Sequence, residues 1–544
     1  MTHLAGFVGH KGDGRPEQLL ADMVAALKEE SWLTVDSHVD GDMALGRVSL
    51  GVINRTPQPI WNADRTICLM MVGEIYDWQD TKHLLGANVS VPDPTENAQL
   101  LLEFYCAYGE EFVHQINGTF AAAIWHPRER RLLLVSDHLG SYPLYYNQGG
   151  PILTFASGAR AVVQAPWVPR KVDLTTLADL ISFENVYADR TLFEHVRLLP
   201  PGSILTFQNG VMEIKRYCEY QFPEYYEHHP EEYYVERWIE CLRKAIKRQS
   251  RGPGPLAVLL TGGMDSRTLI AMMDRTNVPV LSMTFGIPNC DDLKLAREVA
   301  HTLHVPHHFF PLAPDYLIRE GELGARLSDG MKSCVHMNVL GPIREMTNYS
   351  RVLFKGYLGG TIHGYVVYQD RLAPFDEDES FRIIFTDRNK IFPVSQHEQL
   401  FTEPAYRQVK GVPAETLRAA LNRSRSKWLV DKDSHVDIYE EDRRFTHLGV
   451  ELARSQAVIR TPLMDKEVLS FAFSVPPSYR ANKHYYLLAF RTAFPDLAKI
   501  PYAATGYPVR PCFRDLWLRF NDQVRWKLQS MGMKWVPSRQ HRPY

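Results

Sequence analysis

The stretch that most constrains this chain is residues 255–267, PLAVLLTGGMDSR, where an apolar run ends at a glycine pair. The run has the length and character of a buried strand in a parallel sheet. The residues that follow, 266–275, predict a helix, so the glycines fall in a loop between strand and helix. Glycines let backbone amides come close to an anion, and the positive end of the helix dipole favours it there. The loop therefore predicts a phosphate or pyrophosphate site.

The side chains of this loop add to the same prediction. Thr261 and Ser266 place hydroxyl donors beside Gly262 and Gly263. Asp265 would repel bare phosphate, but it is suited to hold a magnesium ion that bridges phosphate groups. The alternative interpretation is a turn in which Asp or Ser caps the helix. The loop does not follow the pattern GxxxxGK[ST], so transfer of a γ-phosphate is not expected.

Strands and helices alternate around the loop. Helices are predicted at 235–249 and 291–304, and further strands at 279–285 and 351–357. This alternation implies a parallel sheet with right-handed crossovers. From about residue 375 to the C-terminus the pattern is mainly helical.

The first 210 residues have a different pattern. They contain short apolar runs broken by turns, which are typical of a β-rich layered domain. An aromatic, acidic segment without a period, residues 217–233, marks a domain boundary. With 544 residues the chain is too long for one core, so two or three domains are expected.

Bulk composition excludes several functions. The net charge of −2 gives no overall attraction to nucleic acid or to a membrane surface, and no apolar run approaches the length of a membrane span. The seven cysteines contain no CxxC pair, which favours a reducing compartment. We therefore expect a cytoplasmic protein without nucleic-acid or membrane partners.

Several motifs in order resemble one known family. TGGMDS (261–266) resembles the pyrophosphate loop of N-type ATP pyrophosphatases. The segments 282–308 and 460–477 (RTPLMDKEVLSFAFSVPP) are similar to segments of the asparagine synthetase family. GEIYDW (73–78) and NGTFAAAIWHPRERRLLLVSDHLGSYPLYY (117–146) resemble blocks of that family's glutaminase domain.

The resemblance implies an α/β fold with two domains. Residues 1–215 would form an N-terminal nucleophile-hydrolase-like α/β/β/α sandwich. Residues 230–544 would form a parallel-sheet synthetase domain of the adenine nucleotide α-hydrolase-like type, with a helical C-terminal part. It also implies ATP and Mg²⁺ as ligands, with Leu259, Phe285 and Gly356 around adenine and ribose and with Asp265 on the metal.

The glutaminase part departs from the family pattern. The catalytic cysteine that follows the initiator methionine is here Thr2, and the oxyanion-hole asparagine before GEIY is Val72. A valine side chain cannot donate a hydrogen bond to an oxyanion. Arg47 stands where a glutamine-binding arginine would, and Gly73-Glu74 complete the residual site. We expect a domain that no longer hydrolyses glutamine; the alternative is Thr2 as an N-terminal nucleophile.

The synthetase part departs as well. The acid of the family's second magnesium site is here Gly360, which leaves Asp265 with the phosphates. Tyr357 takes the place of a glutamate, as in β-lactam synthetases, whose tyrosine helps to deprotonate the attacking amine. A tyrosine needs a partner to act as a base, because its ordinary pKa is about 10. The candidate partners are Glu441, Asp442 and Glu451.

A late lysine of the family is also absent. In that family it stabilises the acyl-adenylate transition state and the leaving pyrophosphate, but here no lysine follows Lys499 within residues 500–511. Arg510 and Lys483 are the candidate replacements.

These features predict an ATP-dependent, AMP-forming amide synthetase with a silent glutaminase-like domain. Its substrate would be a peptide or natural-product intermediate whose own amine closes a ring, as in β-lactam synthetases and lasso-peptide cyclases. A precursor peptide with a leader-processing protein would then be partners, and a homodimer is one possible assembly. The alternatives are an asparagine synthetase-like enzyme that uses glutamine or ammonia, and a non-catalytic scaffold relative.

Overall fold

The computed structural model describes residues 2–9, 16–77, 81–85, 95–332, 334–364, 377–389 and 391–511, together with 516, 517, 520 and 524. The end of the region that the sequence predicts to be helical, after residue 511, lies almost wholly outside these residues. Across the part of the chain that is described, none of the helices combines the length and the apolar character that a membrane crossing requires.

The described residues of the first half form twelve strands in two sheets. They are β1 (His3–Val8), β2 (Thr34–Asp40), β3 (Met43–Ser49), β4 (Ile60–Trp61), β5 (Cys68–Ile75), β6 (Gly118–His126), β7 (Arg131–Ser136), β8 (Tyr145–Gly149), β9 (Ile152–Ala156), β10 (Arg197–Leu198), β11 (Ser203–Gln208) and β12 (Val211–Arg216). One sheet has the order β10-β8-β9-β1-β3-β2 and the other β12-β11-β7-β6-β5-β4. Every pairing in both sheets is antiparallel.

The second half contains one five-stranded sheet. Its strands are β13 (Leu256–Leu259), β14 (Val280–Gly286), β15 (His307–Pro311), β16 (Val352–Phe354) and β17 (Val458–Arg460). Their order is β15-β14-β13-β16-β17, and all neighbours are parallel. β13 therefore lies at the centre, with β14 and β16 beside it.

The helices alternate with these strands and fill the C-terminal part. They are α1 (Pro16–Leu27), α2 (Asn97–Tyr108), α3 (Ala159–Val162), α4 (Leu174–Phe183), α5 (Glu231–Gln249), α6 (Met264–Met272), α7 (Asp291–Thr302), α8 (Tyr316–Leu327), α9 (Leu340–Met346), α10 (Gly359–Ile362), α11 (Glu377–Arg388), α12 (His397–Leu400), α13 (Glu403–Val409), α14 (Val412–Leu421), α15 (Leu429–Val436), α16 (Leu448–Ala453), α17 (Lys466–Ser474), α18 (Pro477–Arg480) and α19 (His484–Ala493).

The described residues also form shorter 3-10 segments and one π-helix. The 3-10 segments are Lys82–Leu85, Gly109–His114, Cys334–Val339, Val394–Gln396, Pro462–Met464, Ala481–Lys483 and Leu497–Lys499. The segment Asp437–Thr446 is a π-helix that joins α15 to α16.

Alternation along β5 shows how the first half is layered. Met70 and Val72 lie in the apolar core between the two sheets, whereas Leu69 and Met71 pack on the other face against residues of α2. On the first sheet, Gly46 of β3 makes room for α1, because a Cβ there would lie 2.7 Å from a methyl carbon of Val24. The layers therefore follow the order helix, sheet, sheet, helix, and the α/β/β/α prediction is confirmed.

The parallel sheet of the second half is confirmed too, with two differences in detail. The strand predicted at 351–357 ends at Phe354, because the chain turns at Leu358, where φ is 74°, and begins α10 at Gly359. β17 lies in the region that the sequence predicts to be mainly helical. It pairs with β16, with Phe354 opposite Arg460.

The segment 460–465 contacts the first half of the chain directly. Arg460 forms a buried ion pair with Glu74 of β5, with Nη2 lying 2.6 Å from Oε1. Asn117 Nδ2 donates a hydrogen bond to Asp465 Oδ2 at 2.8 Å, and His138 Nε2 lies 2.8 Å from the carbonyl oxygen of Met464. These contacts fix the parallel sheet against the second antiparallel sheet.

Candidate functional site

A cavity of about 190 Å³ lies at the carboxyl ends of the central parallel strands. Its walls come from the glycine loop after β13, the ends of β14 and β16, the 3-10 turn Cys334–Val339 and the start of α16. Crevices at this edge of open parallel sheets are the usual place for ligands. The lining residues are Leu259, Thr261, Gly263, Asp265, Ser266, Phe285, His336, Asn338, Val339, Lys355, Gly356 and Gly449.

The cavity gathers most of the nucleotide-binding residues that the sequence predicts. Seven of those eight line it, and Gly262 is the exception. The lining includes apolar Leu259 and Phe285, which suit a flat aromatic base. It also includes Thr261, Ser266 and Asp265, whose side chains suit phosphate and metal.

The glycine loop closes on itself through its own polar groups. The amide of Thr261 donates to Ser266 Oγ at 3.1 Å, and the amide of Gly263 donates to Thr261 Oγ1 at 3.1 Å. The two hydroxyl oxygens lie 3.2 Å apart. The two hydroxyl oxygens thus accept hydrogen bonds from backbone amides that could otherwise donate to an anion. This agrees with the rule that backbone amides need a hydrogen-bond partner.

Gly262 is held by a neighbouring helix. Its amide donates to Asp292 Oδ1 at 2.8 Å, at the start of α7. A Cβ at Gly262 would lie 2.7 Å from that oxygen, 2.8 Å from Leu295 and 3.1 Å from Ala503, so only glycine fits. The segment after residue 500 covers the loop from outside, since the amide of Ala503 donates to the Gly262 carbonyl.

Asp265 is fixed in position at the first turn of α6. Its Oδ1 accepts a hydrogen bond from the Tyr486 hydroxyl at 2.8 Å, and Gly359 packs flat on its carboxyl group. Burial raises the pKa of the Asp265 carboxyl, and the nearby charge of Lys483 offsets part of that rise. A carboxylate in such surroundings is stabilised when a cation binds beside it.

The donor set fits magnesium only together with phosphate. Asp265 is the one carboxylate in the lining, and no cluster of three or more His, Cys, Asp or Glu residues occurs in the described ranges. Magnesium is commonly held by one or two carboxylates plus substrate phosphates and water. The residues therefore fit an ion that arrives with a nucleotide.

Tyr357 lies in a different place from the nucleotide cavity. Its ring is buried, packs edge-on against His447 with centroids 5.0 Å apart, and lines a much smaller cavity with Leu139, Gly140 and Ser141 of the first half. Burial raises the pKa of the Tyr357 phenol far above its ordinary value, and the charges of Asp442 and Glu451 raise it further. The phenol is therefore neutral at neutral pH.

The three acids considered as partners of Tyr357 each have another partner. Glu451 forms a buried ion pair with Lys332 at 2.6 Å, and Glu441 pairs with Arg388 at 2.6 Å. Asp442 accepts a hydrogen bond from the hydroxyl of Thr361, and burial raises its pKa to about 8. Asp442 is thus the acid whose protonation state can change near neutral pH.

The two proposed cations lie in different surroundings. Lys483 is partly buried and close enough to Asp265 and His363 for its charge to shift their pKa values. Arg510 is exposed, lies near Asp496 and is absent from the cavity lining. Of the two, Lys483 is the one that the structure places beside the loop.

The sequence reading missed Lys355. This residue directly follows β16, and its side chain lines the nucleotide cavity between His336 and Gly449. The one feature of the sequence that could have indicated Lys355 is its position beside Gly356, which is predicted to lie near the nucleotide. His336, Asn338 and Gly449 were missed as well, because they come from segments without a motif.

In the first half, Arg47 has internal partners. Its Nε donates to Asp36 Oδ2 at 2.7 Å, and its Nη1 donates to the carbonyl of Asn54 at 3.0 Å. Burial lowers the pKa of Arg47, while the Asp36 carboxylate opposes that shift. The guanidinium is therefore occupied by an acid of the neighbouring strand β2.

The other residues that the sequence predicts for a residual glutaminase site are arranged around β1 and β5. Thr2 is partly exposed just before β1, and Val72 is buried between the sheets. Gly73 has φ of 97°, and a Cβ there would lie 2.1 Å from the Thr119 carbonyl oxygen. Glu74 is taken by the ion pair with Arg460.

Comparisons with known proteins define the class of this chain. Residues 1–218 match the model of a glutamine amidotransferase domain, and residues 237–502 match the model of asparagine synthase. The protein thus combines an amidotransferase-type sandwich with a synthetase domain that carries the loop and cavity described above. Residues 1–218 thus form a domain of the glutamine amidotransferase family, and residues 237–502 form a domain of the asparagine synthase family.

Individual relatives are distant. Asparagine synthetase [glutamine-hydrolyzing] 3 of Bacillus subtilis is 26% identical over 244 residues, which are 44% of this chain and 39% of that protein. Asparagine synthetase [glutamine-hydrolyzing] 1 of the same organism is 24% identical over 329 residues, 58% of this chain and 51% of that protein. A putative asparagine synthetase of Methanocaldococcus jannaschii is 22% identical over 487 residues, 87% of this chain and 77% of that protein. The chain thus spans about half or less of the first two relatives.

Proposed function

We propose that this chain is an ATP-dependent, AMP-forming ligase that joins a carboxyl carbon to an amine nitrogen. The observation that carries the proposal is the cavity at the ends of β13, β14 and β16. There apolar Leu259 and Phe285, the hydroxyl-bearing Thr261 and Ser266 of the loop, and Asp265 line one space of about 190 Å³. The asparagine synthase domain at 237–502 supports this reaction class.

The residues of the cavity divide the work of the first step. A carboxylate oxygen of the substrate attacks the α-phosphorus of ATP, the bond from that phosphorus to the bridging oxygen breaks, and pyrophosphate leaves. The loop from Thr261 to Ser266 binds the departing diphosphate through amides and hydroxyls. Asp265 holds a magnesium ion, which offsets the negative charge of the phosphates.

The second step forms the new bond. The amine nitrogen attacks the acyl carbon of the mixed anhydride and loses a proton, and AMP leaves with the electrons of the broken bond. Tyr357 lies next in sequence to Gly356 of the cavity, but its buried phenol faces the seam between the domains. Its role as a proton acceptor therefore requires either Asp442 or Glu451 to act with it.

We infer that the amine belongs to the same molecule, so that the product is a ring in a peptide or natural-product intermediate. Three features of the first half support this choice over glutamine as the nitrogen source. Thr2 stands in place of a thiol nucleophile, Val72 provides no oxyanion donor, and the guanidinium of Arg47 is paired with Asp36. A precursor peptide and a leader-processing protein are the partners that this substrate class implies.

A second candidate is an asparagine synthetase-like enzyme that takes nitrogen from ammonia or glutamine. It is favoured by the relatives, which are named glutamine-hydrolyzing asparagine synthetases. In this case free ammonia, or a reaction at Thr2, would supply the nitrogen.

The first experiment tests adenylation alone. Isotope exchange between labelled pyrophosphate and ATP is measured with magnesium and with either aspartate or a linear precursor peptide as the carboxylate. We expect exchange with the peptide, loss of exchange in Asp265→Asn, and unchanged exchange in the matched control Asp64→Asn, which alters an exposed loop acid. Absence of exchange with every carboxylate, together with no magnesium-nucleotide binding in calorimetry, would favour a non-catalytic scaffold.

The second experiment identifies the nitrogen source. Product is analysed by mass spectrometry with ammonium, with glutamine and with neither. A dehydrated product that forms without any added nitrogen source supports ring closure. A product whose formation depends on ammonium or glutamine supports the second candidate.

A further inference from the structure

Lys355 is a cation that lines the cavity of the glycine loop, and no carboxylate among the described residues is paired with it. It follows β16 at the carboxyl edge of the sheet, next to the strand that carries the glycine loop. Its backbone is fixed by the bond from its amide to the Arg460 carbonyl at 3.0 Å. Among the residues that the structure describes, its Nζ makes no ion pair with a carboxylate.

Two acids of this region are already engaged. Glu451 is paired with Lys332, and Asp265 is bonded to Tyr486. Burial accordingly lowers the pKa of Lys355 to about 8, and no described carboxylate counters this shift. Placing an ammonium where it loses water without gaining a counter-charge is unfavourable, so the position points to a ligand that supplies the charge.

The wall opposite the ammonium leaves room for it. A Cβ on Gly449, in the first turn of α16, would lie 2.6 Å from Lys355 Nζ. Any side chain at Gly449 would therefore push the ammonium aside. The ring of His336, on the next wall, is neutral, because burial and the two neighbouring lysines lower its pKa to about 4.

We propose that Lys355 binds phosphate oxygens of the nucleotide and so provides the positive charge that the sequence lacks after Lys499. This inference rests on the proposed function, because it assumes that the cavity holds ATP. The ammonium and the loop line the same cavity, so one phosphate chain can contact both. Lys355, at the end of β16, then supplies the positive charge that offsets the leaving diphosphate, instead of Arg510.

The test separates phosphate contact from a general structural role. Calorimetry without a carboxylate substrate measures binding of magnesium AMPPCP, an ATP analogue with a β,γ-methylene group, and of adenosine to the full chain. For Lys355→Met we expect affinity for AMPPCP to fall about tenfold to a hundredfold, as for loss of a charge-assisted hydrogen bond, while adenosine affinity changes less than about twofold. Gly449→Ala should give a smaller loss in the same direction, and the exposed Lys215→Met should change neither affinity.

Each outcome decides between the two proposals. If the wild type binds both ligands and Lys355→Met binds AMPPCP as tightly as the wild type, the inference about Lys355 is wrong and the proposed function stands. Equal losses for AMPPCP and adenosine show a structural role and also overturn it. If the wild type binds neither ligand, the proposed function fails and the inference fails with it.

Discussion

Replacing Arg460 by methionine tests how strongly the two halves of the chain depend on one buried ion pair. Arg460 and Glu74 expose only 3% and 6% of their surfaces. The guanidinium donates to both oxygens of Glu74, at 3.1 and 2.6 Å, and to the carbonyls of Gln249 and Arg251. Arg460→Met leaves a buried carboxylate without a counter-charge and two carbonyls without a donor.

The expected cost follows from these contacts. Breaking a buried ion pair from one side costs about 3–5 kcal/mol of unfolding free energy, because the remaining charge stays desolvated. Removing the second charge as well, in Glu74→Gln/Arg460→Met, should recover about 1–3 kcal/mol of that loss. The matched control is Arg407→Met, which breaks an exposed pair with Glu403 and should cost less than about 1 kcal/mol.

Urea titrations followed by tryptophan fluorescence measure these free energies in the full chain. The four proteins of the cycle give the coupling between Glu74 and Arg460 directly. The reasoning would be refuted if Arg460→Met lost less than about 1 kcal/mol of unfolding free energy. It would also be refuted if the double variant were less stable than Arg460→Met by the full cost of Glu74→Gln. Either result would mean that water reaches the pair in solution.

Two further substitutions test the site and its surroundings. Gly359→Ala places a Cβ 2.4 Å from the Asp265 carboxyl carbon and should weaken magnesium AMPPCP binding about tenfold to a hundredfold in calorimetry, whereas Gly321→Ala, whose Cβ meets nothing within 4 Å, should leave binding unchanged. In the wild type the pKa of Asp442 is about 8 in the folded state, which exceeds the unfolded value, so the wild type loses stability as pH rises from about 4 to 8. Asp442→Asn removes this titrating group, so the variant should gain stability relative to the wild type over the same window. Urea midpoints at pH 5 and pH 8 check this, and an equal difference at both values would contradict it.

Local pattern was sufficient to predict the strand, glycine loop and helix at 256–272 and the layers of the first half. The strand, loop and helix at 256–272 are consecutive in sequence, so Thr261, Asp265 and Ser266 reach the cavity as the loop pattern predicts. The short apolar runs of the first half likewise predicted β-rich layers, and one of them, β5, packs one face into the sheet core and the other against α2. In both cases the information lies within one short stretch of consecutive residues.

Other parts of the site could not be predicted because they depend on distant contacts. Glu74 is 386 residues away from Arg460, and no local rule gives that pairing. The direction of Tyr357 depends on where β16 ends, since the period-two rule no longer applies after Phe354. Lys355 reaches the cavity for the same reason, beside Gly449 from a helix that begins almost a hundred residues later.

The self-contained hydrogen bonding of the glycine loop has a consequence for ligand selectivity. Ser266, Thr261 and Asp292 each satisfy one loop amide, so an incoming ion must exchange for these partners and gains only the difference. A small monovalent ion such as chloride replaces a single partner and gains little. A diphosphate carries enough oxygens to replace several at once, so we expect the loop to keep its internal hydrogen bonds in ordinary salt and to exchange them for a polyanion.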